Sequence, residues 1–327
     1  MNLWERACPR RGRYKPCKYW HDGAMPLSRL HAVHRSFNAF GQHTLWLRYP
    51  TPYHWPSTQA FLAARCIPGI ETFSAGTYRR SFPVAGKHGV LEARPASGNR
   101  LFIQLSGVPA AAVPSLIARI RRFFDLDANP TRIATELCRD PLMARLLAAR
   151  PGLRVPQGWD ACEQAMRTVL GQQISVAGAM TLAGRLVARH GQPLRQPSDG
   201  LTHVFPTPHV LANADLENLG MPRARAATLG TLARALLAEP ELLRKGQGLE
   251  PLLANLCRLK GIGPWSALYL ALRQAGAADA LPLGDVALVK ALRLLEGPDA
   301  QLAERAQDWR PWRAYAAQHL WASLGDK

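Results

Sequence analysis

The stretch Leu259–Asp285, LKGIGPWSALYLALRQAGAADALPLGD, predicts two helices joined by a tight glycine turn and followed by one carboxylate. We expect the first helix to end at about Lys260, Gly261 and Gly263 to allow a left-handed bend, and Pro264 to lie in the first turn of the second helix. Such a turn leaves backbone N–H groups at a helix N-terminus, where an anion such as phosphate is favoured. A plain turn between two helices is the alternative, since glycine pairs are common there.

The charge of the chain favours a polyanionic partner. Its 327 residues include 41 Lys and Arg against 23 Asp and Glu, which gives a formal net charge of +18 at pH 7. Residues 1–42 contribute +6 of this excess, so the rest of the chain is basic as well. Nucleic acid and an anionic membrane both attract such a protein. No apolar run approaches the roughly 20 residues that span a bilayer, and no signal peptide is evident, so we expect a cytoplasmic protein.

The cysteines give no support for a metal centre or a disulfide framework. The six lie at positions 8, 17, 66, 138, 162 and 257, without a closely spaced set. We therefore expect buried, reduced thiols and no metal. Cys8, Cys17 and His21 are a weaker candidate for metal ligands, because their spacing is too wide for the usual zinc knuckle.

The sequence pattern divides the chain into three parts. Residues 1–42 are predicted to be a poorly ordered basic tail, with an arm that helps to hold DNA as an alternative. Residues 43–123 predict an α+β domain with a small antiparallel sheet, built from HTLWLRY, TYRRSFPV, GVLEARP and NRLFIQLSG, and helices on one face. We expect Ser57 to cap its first helix. Residues 124–327 show almost wholly helical spacing and predict a mostly α-helical domain, with the helix-hairpin-helix at about 250–273.

Several segments, in order along the chain, resemble the helix-hairpin-helix DNA glycosylases, and more narrowly the AlkA-type 3-methyladenine DNA glycosylase II family. They are TPYHWPSTQAFLAARCI, FDLDANP, RPGLRVPQGWDACEQAMRTVLGQQISVA, FPTP, LGMPRARAATL, LPLGDVALVKAL and WRPWRAYAAQHLW. The resemblance covers about residues 43–325. It implies a monomeric enzyme that flips an alkylated base, such as 3-methyladenine or 7-methylguanine, out of double-stranded DNA and hydrolyses its glycosidic bond.

The resemblance also implies roles for individual residues. Asp285 would be the catalytic acid, which stabilises positive charge on the sugar and orients water, although an aspartate at this position is also a good helix N-cap. Gly284 replaces an acidic residue that often stands there in the family. The DNA backbone would contact Gly261, Gly263 and Ser266. Aromatic side chains would form the base pocket, and we expect these to be Trp265, Tyr269, Trp321, Phe61, Tyr53 and Trp55, unless they belong to the core.

Two positions refine the expected reaction. Bifunctional members of the superfamily carry a Schiff-base lysine where this chain has Trp265, and Lys260 is poorly placed to replace it, so we expect no strand cleavage. The family's wedge, which fills the gap left by a flipped base, matches Gln173, where a larger apolar residue is usual. A surface loop residue without that role is the alternative for Gln173.

The cofactor and the substrate class each allow a second hypothesis. The resemblance implies no cofactor, although relatives of this type can hold a monovalent cation at the hairpin loop. A glycosylase for oxidised or deaminated bases is the second hypothesis for an enzyme. A non-catalytic helix-hairpin-helix module that only binds DNA is the hypothesis from another class, since phosphate contacts alone would need the same basic charge.

Overall fold

The computed structural model describes residues 33–37 and 42–326, and for residues 33–37 only the backbone. Most of the predicted tail, residues 1–32 and 38–41, lies outside this part of the chain. The first domain contains a six-stranded antiparallel sheet. Its strands are β1 (Val33–Phe37), β2 (His43–Arg48), β3 (Glu71–Ser74), β4 (Thr77–Val84), β5 (Lys87–Ala96) and β6 (Arg100–Ser106). Their order across the sheet is β1-β2-β6-β5-β4-β3.

Strand β1 corrects the predicted tail. Val33 pairs with Leu47 and Phe37 with His43, so five residues that we expected to be poorly ordered form an edge strand. β1 pairs with β2, which follows it after a short connection. The alternating pattern of only five residues is too weak to predict a strand from sequence alone. The rest of the sheet follows the predicted alternation, as in β6, where Leu101, Ile103 and Leu105 are fully buried.

Two helices pack on the buried face of this sheet, as predicted. They are α1 (Trp55–Ala63) and α2 (Val113–Phe123), and both contribute to one apolar core with the strands. The capping residue of α1 was predicted wrongly. His54 is the N-cap, and its ring accepts a hydrogen bond from the backbone N–H of Ser57 at 3.3 Å. The imidazole thus takes the place of the shorter polar side chains that usually satisfy such an N–H group.

The second domain is mostly helical, which confirms the predicted fold class. Its helices are α3 (Pro130–Leu137), α4 (Pro141–Ala149), α5 (Ala161–Leu170), α6 (Val176–His190), α7 (Pro208–Asn213), α8 (Arg223–Ala238), α9 (Leu249–Cys257), α10 (Pro264–Arg273), α11 (Val286–Glu296), α12 (Leu302–Arg305) and α13 (Arg313–Ser323). Their apolar faces share a second large core. Cys138 and Cys162 are buried in it, but Cys257 is exposed, so the expectation of buried thiols is wrong for that residue.

A short β-hairpin interrupts the helices and was not predicted. It consists of β7 (Gln192–Ser198) and β8 (Leu201–Val204), joined through Asp199 and Gly200 with positive φ angles of 52° and 80°. The hairpin packs towards the first domain, where the hydroxyl of Ser81 donates a hydrogen bond to the backbone oxygen of His203. Within the part of the chain that the structure describes, no helix is both long enough and apolar enough to cross a bilayer.

Candidate active site

The glycine hairpin lies between α9 and α10. Helix α9 ends at Cys257, three residues before the predicted end. Gly261 has a φ of +91°, and a Cβ atom built on it would lie 2.0 Å from Thr228 Oγ1 on α8, so both backbone conformation and packing require glycine there. Gly263 is different, because its φ of −92° and ψ of 179° are extended and its surroundings are open. The predicted left-handed bend is therefore correct for Gly261 and wrong for Gly263.

Gly263 is also the N-cap of α10, and Pro264 occupies the first turn as predicted. No side chain caps this helix, so its first N–H groups are not used by a capping residue. Because the main chain is bare at Gly263, a phosphate group can come close to these donors. The geometry is compatible with the predicted backbone contact of Gly261 and Gly263, which stays a prediction.

Asp285 is held by three hydrogen-bond donors at the start of α11. Its Oδ1 accepts from the backbone N–H of Leu288 at 3.0 Å and from Nε1 of Trp321 at 3.1 Å, while Oδ2 accepts from Nε1 of Trp265 at 3.0 Å. The carboxylate is half-buried and lies at the edge of a cleft of about 1140 Å³. It is thus a helix cap and also an oriented acceptor facing the cleft. Three donors fix its position.

The aromatic side chains beside Asp285 form one wall of this cleft. Trp265 and Tyr269, one turn apart on α10, are stacked with ring centroids 5.2 Å apart and an interplanar angle of 15°. Tyr269 meets Trp321 of α13 edge-on at 6.0 Å. The structure therefore brings together the three aromatic residues that we expected in the pocket. Burial raises the pKa of Tyr269, but the guanidinium groups of Arg273 and Arg65 outweigh it and lower the pKa below its ordinary value.

Two arginines that the sequence analysis missed adjoin this wall. The guanidinium carbon of Arg65 lies 4.2 Å from the ring centroid of Phe61, and that of Arg273 lies 4.5 Å from the same centroid. Arg273 is 2% exposed and also lies 5.2 Å from the ring centroid of Trp321. Phe61 lines the cleft as predicted, but cations already contact its ring. Burial lowers the pKa of Arg273. Residues 265, 269 and 273 are spaced by four along one helix. The sequence could therefore have indicated that Arg273 lies on the same helix face as Trp265 and Tyr269.

Tyr53 and Trp55 are not brought to the cleft, which corrects the prediction for them. Their rings stack on each other with centroids 4.0 Å apart and pack against the core of the first domain. The hydroxyl of Tyr53 donates to the backbone oxygen of Phe124 at 2.7 Å, and Nε1 of Trp55 donates to the hydroxyl of Tyr49 at 2.8 Å. Their polar atoms are thus used within the fold, as is common for aromatic residues in a core.

The predicted wedge residue Gln173 lies in the loop between α5 and α6 and lines the cleft. It is exposed and has a φ of +58°, a conformation that a residue with a side chain rarely adopts. The preceding residue, Gln172, connects this loop to the hairpin. Its Nε2 donates to the backbone oxygen of Gly261 at 3.0 Å and to Oγ of Ser266 at 2.9 Å. Ser266 is 3% exposed and its hydroxyl accepts from Gln172, and the predicted contact of Ser266 with DNA stays a prediction.

Comparison with known proteins identifies the family. A model of the AlkA N-terminal domain matches residues 44–160, and one of the HhH-GPD superfamily of base excision DNA repair proteins matches residues 166–313. The DNA-3-methyladenine glycosylase 2 of Escherichia coli strain K12 is 38% identical over 283 residues, which cover 85% of this chain and 97% of that protein. The chain belongs to the AlkA family of DNA glycosylases.

Another AlkA relative is longer than this chain. The Mycobacterium tuberculosis (strain CDC 1551 / Oshkosh) protein named "Probable bifunctional transcriptional activator/DNA repair enzyme AlkA" is 36% identical over 286 residues, covering 86% of this chain and 57% of that protein. Solved structures show the same fold. A 3-methyladenine DNA glycosylase from Archaeoglobus fulgidus has a TM-score of 0.74 at 20% identity, covering 84% of this chain and 96% of that one. A Clostridium acetobutylicum 8-oxoguanine glycosylase/lyase in complex with DNA has a TM-score of 0.71 at 17% identity, covering 91% and 98%.

Two further predictions for this AlkA-family cleft concern a lysine that could form a Schiff base and the binding of ions. Lys260 is exposed, and among the described residues that line the cleft there is no lysine. The monovalent cation at the hairpin stays a prediction; the backbone oxygen of Gly261, at this loop, already accepts a hydrogen bond from Gln172. Residues 33–37 and 42–326 contain no group of three or more His, Cys, Asp or Glu side chains arranged to hold a metal ion.

Proposed function

We propose that this chain is a monofunctional DNA glycosylase that removes alkylated bases from double-stranded DNA. The observation that carries the proposal is the position of Asp285, whose carboxylate is held by two tryptophan N–H groups at the edge of an aromatic cleft. The hairpin that offers backbone donors to phosphate opens onto the same cleft, since Gly261 and Gly263 line it. A nucleotide held by the hairpin and turned into the cleft would bring its sugar towards Asp285.

Asp285 would act mainly by electrostatic stabilisation. As the bond between C1′ and the base nitrogen lengthens, positive charge develops on the sugar, and a nearby carboxylate stabilises that charge. The same group can orient the attacking water and accept its proton. The hydrogen bonds from Trp265, Trp321 and Leu288 fix the carboxylate before the reaction, so that little reorganisation is needed when charge appears.

The composition of the cleft supports alkylated bases as substrates. N-alkylation of a purine places positive charge on the base, which suits the faces of Trp265 and Tyr269, and it weakens the glycosidic bond so that modest assistance is enough. The name of the Escherichia coli relative, DNA-3-methyladenine glycosylase 2, points to the same class. Polar groups also border the cleft, since Arg65 and Arg273 lie at the Phe61 wall. We therefore expect a range of lesions rather than one tightly fitted base.

The absence of a nucleophilic amine supports hydrolysis without strand cleavage. By the family resemblance, Trp265 occupies the position where a lyase would carry its lysine, and no lysine occurs among the described residues of the cleft. A Schiff base with the sugar needs such an amine. The product would then be an abasic site in an unbroken strand.

The proposal is tested with duplexes that each contain one lesion, assayed with and without a later alkaline step that cleaves abasic sites. We expect release of 3-methyladenine and 7-methylguanine, with strand breaks only after alkali. Processing of 8-oxoguanine or uracil duplexes while the alkylated ones stay intact would refute the substrate class. Strand breaks before alkali would refute monofunctional hydrolysis, and no base release from any duplex would favour a binding module.

The role of Asp285 is tested by Asp285→Asn. Asparagine is also a good N-cap, and its single side-chain oxygen can still accept from Leu288 and Trp321. Only the hydrogen bond from Trp265 is lost, so we expect stability and DNA affinity to be largely kept. Single-turnover base release should fall by about 10² to 10³, the usual loss when one charge-stabilising group is removed. Asp160→Asn is a matched control, since Asp160 caps α5 by accepting from Cys162 and Glu163 and does not line the cleft. Equal release rates in both variants would remove Asp285 from the mechanism.

A further inference from the structure

Gln172 joins three elements around the cleft, and we name its contacts the Gln172 bridge. Its side-chain amide donates to the Gly261 oxygen at 3.0 Å and to Ser266 Oγ at 2.9 Å, which ties the loop between α5 and α6 to the hairpin turn and to α10. Its backbone oxygen accepts from the Arg225 guanidinium on α8 at 2.6 Å. One residue is therefore bonded to the hairpin turn, to the first turn of α10 and to α8.

The partners of this bridge are closely packed. Gly261 lies against Thr228 of α8 so closely that a Cβ atom would overlap the threonine hydroxyl. Ser266 is buried in α10, and Ile262, between the two glycines, is 4% exposed. The hairpin and α8 thus form one packed unit, and the Gln172 bridge fixes the loop relative to that unit.

The residue after Gln172 is held in a costly conformation. Gln173 has a φ of +58°, and a left-handed conformation costs a non-glycine residue about 1–2 kcal/mol. Such a strained conformation persists where contacts with neighbouring groups hold the backbone in place. The hydrogen bonds of Gln172, on both its side chain and its carbonyl, supply these contacts on one side of Gln173. Next to it, Ile174 and Val176 are 39% and 41% exposed at the cleft rim.

We propose that Gln172 is a positioning residue for base flipping. Gln172 sets the distance between the hairpin and the tip of the loop, which is formed by Gln173 and Ile174. The hairpin would hold a backbone phosphate, and the loop tip would fill the gap in the duplex. A flipped nucleotide needs both contacts at once, so an error in their separation would weaken the flipped state. The hydrogen bonds of the Gln172 bridge go to Gly261, Ser266 and Arg225, so we expect the bond-breaking step at Asp285 to be unaffected. This inference rests on the proposed function.

The test compares Gln172→Leu with two other variants. Leucine keeps the approximate size of the side chain and removes both of its hydrogen bonds, each worth about 0.5–1.5 kcal/mol net. Ser266→Ala removes one of the two acceptors and serves as the milder change. Gln301→Leu is the matched control, because Gln301 is exposed, donates to the backbone oxygen of Asp299 and lies outside the cleft. Circular dichroism and thermal unfolding establish that each variant is folded.

Two measurements separate flipping from chemistry. The first is single-turnover release of 7-methylguanine from a fully paired duplex and from an unpaired bulge, where the base is already unstacked. The second is the fluorescence of 2-aminopurine placed beside a 7-methylguanine whose sugar carries a 2′-fluorine, which slows bond cleavage and lets flipping be measured alone. We expect Gln172→Leu to lower release from the paired duplex about tenfold and to reduce the fluorescence rise, with release from the bulge changed less than about twofold.

Ser266→Ala should also lower release from the paired duplex more than release from the bulge, with about a threefold loss on the duplex. Gln301→Leu should lower release from neither substrate. Equal losses of release from duplex and bulge, or unchanged release from both, would overturn the proposal. If Gln172→Leu does not fold, the selectivity of Ser266→Ala decides in its place. A wild-type protein that releases no base would refute the proposed function instead, while the 2-aminopurine signal would still report whether Gln172 controls flipping.

Discussion

Asp125 is a carboxyl group that the fold makes harder to ionise. Burial raises its pKa to about 6, although Arg154 and two hydrogen bonds oppose this. The donors are the hydroxyl of Tyr315 at 2.9 Å and the backbone N–H of Val155 at 3.2 Å. Because the pKa is higher in the folded than in the unfolded chain, the folded state binds this proton more tightly. The contribution of Asp125 to stability therefore rises as the pH falls from about 7 to about 4.

Asp125→Asn should remove this pH dependence. Asparagine resembles the protonated acid, tolerates the φ of +51° at this position and can accept both hydrogen bonds. Since the side chain keeps some exposure, we expect a gain of about 2 kcal/mol in the free energy of unfolding at pH 8 and almost none at pH 4. Urea unfolding at the two pH values measures it. Asp127→Asn, which loses an exposed partner of Arg121, is the control and should give no gain. Equal effects at pH 4 and pH 8 would contradict the raised pKa.

The sequence could predict the part of the site that lies on regular helices. Trp265 and Tyr269 share a helix face because they are four residues apart, and Asp285 follows a turn motif that marks a helix start. Trp321 reaches Asp285 from a distant helix, and only the family resemblance indicated it. Gln172 carries its role through tertiary hydrogen bonds to residues about 90 positions away, and no local pattern encodes such contacts.

At the scale of elements, we expect the two glycines of the hairpin to be required for different reasons: Gly261 for stability and Gly263 for access of DNA to the backbone. Gly261→Ala should lower the free energy of unfolding by about 2–4 kcal/mol, because it combines a strained positive φ with overlap against Thr228. Gly263→Ala should change it by less than about 0.5 kcal/mol, since the backbone there is extended and the space is open. The methyl group would instead stand where a phosphate approaches, so DNA affinity should fall. Thermal unfolding and a DNA-binding titration measure the two effects.

A second change separates strain from overlap at Gly261. Thr228→Ala removes Oγ1 and Cγ2, the two nearest atoms that a Cβ on Gly261 would meet, and leaves the Cβ of residue 228 at 2.8 Å. It also costs one hydrogen bond from the Thr228 hydroxyl to the Ala224 oxygen, inside α8. Combined with Gly261→Ala, it should recover the part of the stability loss that comes from overlap with Oγ1 and Cγ2, and leave the part that comes from φ and from the remaining Cβ contact. If Gly261→Ala and Gly263→Ala destabilised the protein equally, the different constraints described for the two glycines would be wrong.

The β7–β8 hairpin shows why one element escaped prediction. Both strands are short, and β7 contains two prolines, which weaken a strand assignment. The dipeptide Asp199-Gly200 was the available signal, because both residues have the positive φ that such two-residue turns require. The remaining stability comes from packing against the first domain, where Gly69 pairs with Leu201. That pairing joins residues more than 100 positions apart and leaves no trace in local sequence.

At the scale of the whole molecule, a buried group of four charges joins the two domains. Arg80 of β4 pairs with Glu163 of α5 at 2.6 Å and with Glu71 of β3 at 3.4 Å, and Arg167 of α5 pairs with the same two carboxylates. The domain types could be predicted from pattern and resemblance, but this junction could not, because the two pairs that cross between the domains join residues 83 and 96 positions apart. Burial would raise the pKa of Glu163, but the two arginines outweigh it and lower the pKa.

Glu163→Gln tests how strongly this group holds the domains together. It would leave Arg80, only 1% exposed, without its closest carboxylate, and removing one partner of a buried ion pair typically costs about 3–5 kcal/mol. We expect a loss of that size in the free energy of unfolding at pH 7. The loss should shrink in acid, because a lowered pKa means that stability from the ionised Glu163 disappears as the pH falls through it. Glu92→Gln breaks the more exposed pair with Arg79 and should cost less than about 1 kcal/mol. Similar losses in the two variants would mean that the buried charges do not join the domains.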